Sequence, residues 1–145
     1  MLEFPLWVVV ANASRARILL RERASSPLLL REERQHAAGR MHPLAQERTP
    51  HGQTIGGRSG LALRTPLRER ERHVFAHELA SALRSHGLAH EVGDLVVYAS
   101  NPFLGDLMHG LDSGLLRRLK VRQALDLTRW TVPRIEERLA LDLGM

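Results

Sequence analysis

Cysteine is absent from the 145 residues, which removes disulfides and thiolate metal sites and suits a reducing compartment. No apolar run approaches the roughly 18 residues that span a bilayer, so membrane insertion is not expected. A secretory leader is not expected either. Ala11-Asn12-Ala13 imitates an A-x-A cleavage site, but the stretch before it lacks a basic n-region, carries Glu3 and has only a short apolar run. These absences predict a cytoplasmic protein. No internal repeat, low-complexity tract or domain boundary is visible, and residues 1–145 read as one domain. Lysine is nearly missing, since 20 of the 21 basic residues are arginine.

Apolar residues make up 43% of the chain, enough for a continuous core. The net charge of +5 is unevenly spread. Residues 34–72 hold eight arginines against three acids, a balance of +5, while the remainder holds 13 basic and 13 acidic residues. A compositional bias explains arginine over lysine; it does not explain the clustering. Positive charge localised on a flexible segment favours polyanions, chiefly RNA, and is felt over roughly 8–10 Å at physiological salt.

"LWVVVAN" (6–12) is a β-branched run that reads as a buried strand, and "RARILLRE" (15–22) and "LLLREE" (28–33) flank the turn material Ser25-Ser26-Pro27. Together they predict three antiparallel strands. Residues 34 to about 65 show no periodicity and carry several glycines, which predicts a long, mobile loop of functional character. Thr65 as N-cap and Pro66 at the first helical position predict a helix over 66–86, with Phe75, Leu79, Ala82 and Leu83 on one face. "DLVVYAS" (94–100) reads as a second buried strand. A helix from about Pro102, a further helical piece near 113–119, a strand over 121–127 and a final helix opened by Thr131 and Pro133 complete the chain. The order β-β-β-loop-α-β-α-β-α predicts an α/β protein with a ribonuclease H-like mixed sheet. An antiparallel three-strand meander joins two parallel strands, with helices on the faces.

A nuclease of that architecture needs several carboxylates around two metal ions at the strand ends. The first strand ends in Asn12 where such an enzyme wants aspartate, and Asp94, Asp106, Asp112 and Asp126 show no clustering pattern in sequence. His73 and His77 share a helix face at i and i+4, a spacing that can hold a metal, but no third ligand is evident and a solvated face is the simpler reading. No metal and no cofactor is expected. "RERERH" (68–73) suits either an exposed helix start or a phosphate grip. Gly56-Gly57 lets a backbone come close to a ligand, or simply makes a pliant loop.

Two stretches, "WVVVANASRARIL" (7–19) and "NPFLGDLMHGLDSGLLRRLKVRQALDLT" (101–128), resemble the bacterial host attachment protein family, proteins required for attachment to host cells. The most specific parts are Phe103-Leu104-Gly105-Asp106-Leu107 and Asp126-Leu127-Thr128. That family is similar in turn to the middle domain of the archaeo-eukaryotic class-1 peptide-chain release factors. There a loop after the meander carries Gly-Gly-Gln and runs into an arginine-rich helix start ending in Arg-His. "GGRSGLALRTPLRERERH" (56–73) has the same position and a similar layout, from Gly56-Gly57 to Arg72-His73. The family's glutamine orients a water against the ester of peptidyl-tRNA, and here Arg58 stands at that position. A guanidinium has donors only, so it cannot accept from a water as an amide carbonyl does. Gln53 precedes the glycine pair and is not its equivalent.

The resemblance and the charge together predict a non-catalytic, RNA- or ribosome-associated module that inserts its 34–66 loop into an RNA-lined cleft. Arg58, Arg64, Arg68, Arg70 and Arg72 would meet phosphates of tRNA or the ribosome beside His73, with Gly56 and Gly57 permitting close approach. A second reading is a protein–protein interaction module with an indirect role in attachment to host cells or surfaces. A third is a release-factor-like hydrolase of peptidyl-tRNA esters.

Overall fold

The computed structural model describes residues 2–36, 55–88 and 91–144, with the side chains of the long helix described from Pro66 to Gly87. β1 (Leu6–Ala11) is buried along its whole length, as its β-branched run requires of a strand covered on both faces. It pairs antiparallel with β2 (Arg15–Arg21), which pairs antiparallel with β3 (Leu29–Gln35). On its other side β1 pairs in parallel with β4 (Leu95–Ala99), and β4 with β5 (Leu119–Gln123). The sheet order is β3-β2-β1-β4-β5, three strands antiparallel and two joined in parallel by crossovers. This is the expected mixed sheet, and it is consistent with a ribonuclease H-like arrangement.

Four helices are described: α1 (Ile55–Leu88), α2 (Phe103–Gly110), α3 (Ser113–Arg118) and α4 (Val132–Leu143). Among the described residues no helix is long and apolar enough to cross a membrane. Strand alternation sends Trp7, Val9 and Ala11 to one face and Leu6, Val8 and Val10 to the other. On the first face Phe75, Leu79 and Leu83 of α1 and Phe103 and Leu107 of α2 close the core. On the second, Ile135 and Leu139 of α4 pack over Val96 and Tyr98. The start of α4 is as its sequence foretells, since the Thr131 side chain accepts from the Arg134 N–H and Pro133 sits in the first turn; Gly144, not singled out in the sequence, closes the helix in the left-handed region at φ 70°.

Two boundaries differ from expectation. α1 begins at Ile55, so residues 55–65 of the expected loop are helical and Pro66 lies inside the helix. Leu61, Ala62, Leu63 and Arg64 are strong helix formers, and an internal proline forfeits the bond to the Ala62 carbonyl without ending the helix. Residues 37–54 of that loop lie outside the described residues. β5 runs over Leu119–Gln123, not 121–127, because its pairing with β4 begins at Leu95↔Leu119 and ends at Tyr98↔Gln123. Past that point the Thr128 backbone N–H and hydroxyl both donate to Asp126 Oδ1, turning the chain out of the sheet.

Candidate nucleic-acid interface

The inner face of α1 carries Phe75, Ala76, Leu79, Ala80 and Leu83, all buried, so residues on the opposite side of the helix point away from the sheet. Arg68 and Arg70 are on that outward side and exposed. Arg70 has no ion pair among the described residues. It lines a groove of about 590 Å³ together with Pro66, Glu69, His73, His77 and Glu78. A second hollow, of about 430 Å³, lies between α1 and α2 against His73, His77, Asp106, His109 and Gly110. The two imidazoles of His73 and His77 border both.

Glu71 and Arg72 sit at the edge of the buried face and tie the helix down. His36, one residue past β3, holds Glu71 through Nε2 and Oε2 at 2.7 Å and stacks on Phe75 with ring centroids 5.2 Å apart. Arg72 Nε donates to Asp106 Oδ2 at 2.5 Å, and His73 Nε2 lies 3.3 Å from Asp106 Oδ1. Of the expected phosphate contacts, Arg72 is therefore engaged by a carboxylate of α2 and only 21% exposed, while His73 is 58% exposed. Gly56, Gly57, Arg58 and Arg64 fall on the first three turns of α1, not on a loop. The pliant-loop reading of the glycine pair therefore does not hold, since both residues lie in a helix. Gln53 lies outside the described residues.

The carboxyl ends of the parallel strands, where open α/β sheets often bind ligands, are internally braced. Asn12 donates from Nδ2 to Asp126 Oδ2 at 3.0 Å and to Thr128 Oγ1 at 3.2 Å. Its Oδ1 accepts from the Ser14 backbone N–H at 2.9 Å and from the Ser14 hydroxyl at 3.2 Å. Two donors and two acceptors are all that an amide has, so Asn12 is fully used. Burial pushes the Asp126 carboxyl up, but hydrogen bonds from Thr128 and Asn12 outweigh it and hold it below the usual range. The other acids are employed elsewhere: Asp94 accepts from the Glu3 N–H, Asp106 holds Arg72, and Asp112 caps α3. Among the described residues no group of three or more His, Cys, Asp or Glu is placed to hold a metal ion.

Sequence reasoning missed Asp106, His36 and Asp126 as partners of the residues it named. Each lies 30 or more positions from its partner, and Asp106 and Asp126 also stand in the motifs that carry the family resemblance. Those motifs lie in two stretches, one from β1 into β2 and one from the start of α2 to just short of α4. Comparison with curated proteins returns no match. The family model described as "Protein required for attachment to host cells" matches residues 7–139. With nearly its whole length matched, the chain belongs to the family of proteins required for attachment to host cells.

Proposed function

We propose that this member of the host attachment family is a cytoplasmic, non-catalytic module that binds RNA, of the tRNA or ribosomal kind, through its arginine-rich segment 34–72. One observation carries the reading: the whole excess charge of +5 lies in that segment, whose described end presents Arg68 and Arg70 outward beside a groove of about 590 Å³. Guanidinium groups recognise phosphate by paired, charge-assisted hydrogen bonds. The nearby His73 and His77 add donors when protonated. Arg72 has a different part, because its bond to Asp106 fixes the helix from which the other arginines project. Arg58 offers no acceptor to a water, so the reading is one of binding and not of ester hydrolysis.

The test is equilibrium binding of the full chain to a fluorescein-labelled single-stranded RNA across a salt series, with ribosome co-sedimentation alongside. Replacing Arg68 and Arg70 with glutamate is expected to weaken binding at least about tenfold. The slope of log K against log salt should shrink by about 1.4, from roughly 0.7 per single-strand phosphate contact. Both side chains are exposed, and a far-ultraviolet circular dichroism spectrum matching wild type checks that the fold is kept. Unchanged affinity and slope in that variant would remove the reading.

A further inference from the structure

Glycine weakens a helix, so a glycine inside one asks for a reason. Gly110, at the end of α2, has a clear one: a Cβ there would come within 2.7 Å of the Ala80 Cβ, so the close approach of α1 and α2 depends on its absence. Gly93 has another, since a Cβ would meet the Glu3 carbonyl oxygen at 2.5 Å. Gly105 has none among the described residues. It lies in the first turn of α2, its backbone is not left-handed, and a Cβ built on it meets no described atom within 4 Å. A side chain would fit there and would favour the helix.

The space in front of Gly105 is a groove of about 510 Å³, walled by Leu104 and Met108 of α2 and Leu116 of α3. Asn101, His109 and Arg122 form its polar edge. Leu116 is 42% exposed, high for a large apolar side chain that borders a hollow. His109 and Arg122 have no hydrogen bond or ion pair among the described residues. The acids nearest in sequence are committed, Asp106 to Arg72 and His73, and Asp112 to the Leu115 N–H. Arg122, paired in register with Val97, is exposed at the rim of the groove, so the polar edge offers a cation.

We infer that this groove seats an amphipathic helix of a partner protein, whose aliphatic ridge lies against Gly105 and whose carboxylates meet Arg122 and His109. A missing side chain lets two helix axes approach to the short end of the usual 8–10 Å, and α2 already uses that device toward α1 at Gly110. Gly105 and Gly110 are five residues apart, about 140° around the helix, so an outside helix at Gly105 leaves the α1 contact intact. The apolar walls give nothing to a phosphate backbone; they suit helix-in-groove recognition. The inference concerns a different surface from the RNA-binding one and does not depend on it.

The first test needs no partner. Gly105→Ala should raise the thermal midpoint of the full chain by about 1–4 °C. A fall would show that the chain itself requires the glycine and would overturn the inference. The second uses a displayed library of amphipathic helices with Leu, Ala and Met along one ridge and randomised flanks, selected on the wild-type chain. Selected helices should carry Asp or Glu on their flanks and bind Gly105→Trp and Arg122→Glu at least tenfold more weakly, while Gly105→Trp keeps a wild-type fold. Helices that bind wild type and Gly105→Trp alike, or that enrich basic flanks, or no enrichment at all, would sink the proposal. So would a wild-type dimer dispersed by Gly105→Trp, because a second copy of this chain would then be the occupant.

Discussion

Asp106→Asn separates what this carboxylate does for the fold from what it does to the charge of the site. Its two oxygens hold Arg72 at 2.5 Å and His73 at 3.3 Å, and the Asp106 and Arg72 side chains are 17% and 21% exposed. Two unit charges about 4 Å apart attract by about 4 kcal/mol at the effective dielectric of a protein boundary. Desolvation takes back much of that, leaving about 1–2 kcal/mol for a part-exposed, charge-assisted pair. Asparagine keeps the shape and one acceptor, so the loss should be near 1 kcal/mol, a fall of a few degrees in thermal midpoint. RNA binding should move the other way. The change removes a negative charge and releases one guanidinium, so affinity should rise and the salt slope steepen by about 0.7. Denaturant unfolding and RNA anisotropy on wild type, Asp106→Asn, Arg72→Gln and the double variant close the cycle. A coupling below about 0.3 kcal/mol would refute the stabilising pair, and weaker RNA binding by Asp106→Asn would refute the account of the released arginine.

Gly110→Ala should cost about 1–3 kcal/mol by forcing α1 and α2 apart at the 2.7 Å contact with Ala80, read by urea unfolding, and Ala80→Gly in the same chain should recover part of it. On the opposite face, Tyr98 donates to Asp142 Oδ2 at 2.7 Å, so Tyr98→Phe should lose about 1 kcal/mol and show a smaller midpoint shift on acidification than wild type. Burial pushes the Asp142 carboxyl up, but hydrogen bonds from Arg138 and Tyr98 outweigh it and hold it low, as Asp126 is held low. A depressed folded-state carboxylate stabilises above its unfolded value, near pH 4, and that contribution disappears as pH falls through the folded value. Wild-type stability should therefore decline from about pH 4 downward, and a chain carrying both Asp126→Asn and Asp142→Asn should decline less over the same range in a pH series of thermal melts. Asn12→Asp would put a second carboxylate 3.0 Å from Asp126 and remove two donors, so its stability loss should grow as pH rises from 4 to 7; a pH-independent loss would contradict the brace drawn around Asn12.

Strand identity was legible because β1 and β4 are nearly pure apolar runs, as strands covered on both faces require. The same holds for the start of α4, where Thr131 and Pro133 each have a fixed local job. The start of α1 was not, since Thr65-Pro66 has the same local chemistry as a first turn and as the middle of a longer helix. Charge told which segment carries the positive excess. It could not tell that Arg72 is held by Asp106, 34 residues away, or Asn12 by Asp126, 114 residues away. The first pairing exists only once α1 packs on α2, and the second only once β1, β4 and β5 lie side by side, so no window along the chain contains both members.

The short α2 shows why a compact motif can stand out in sequence without revealing a function. Phe103 and Leu107 are fully buried in the core, which any apolar pair at that spacing could supply. Asp106 faces α1 and Gly110 admits it, so these two set where the arginine-rich helix lies. Leu104 and Gly105 border the groove on another side, and Gly105 alone has no duty that the described chain can account for. One eight-residue helix thus serves the core, the placement of α1 and an outward surface with different residues. Substitutions on it should be separable: at Asp106 they should alter RNA affinity and leave helix capture at the groove untouched, and at Gly105 the reverse. A single variant that moved both readouts together without loss of stability would mean that the two surfaces are coupled through α2, and the independence argued for them would fail.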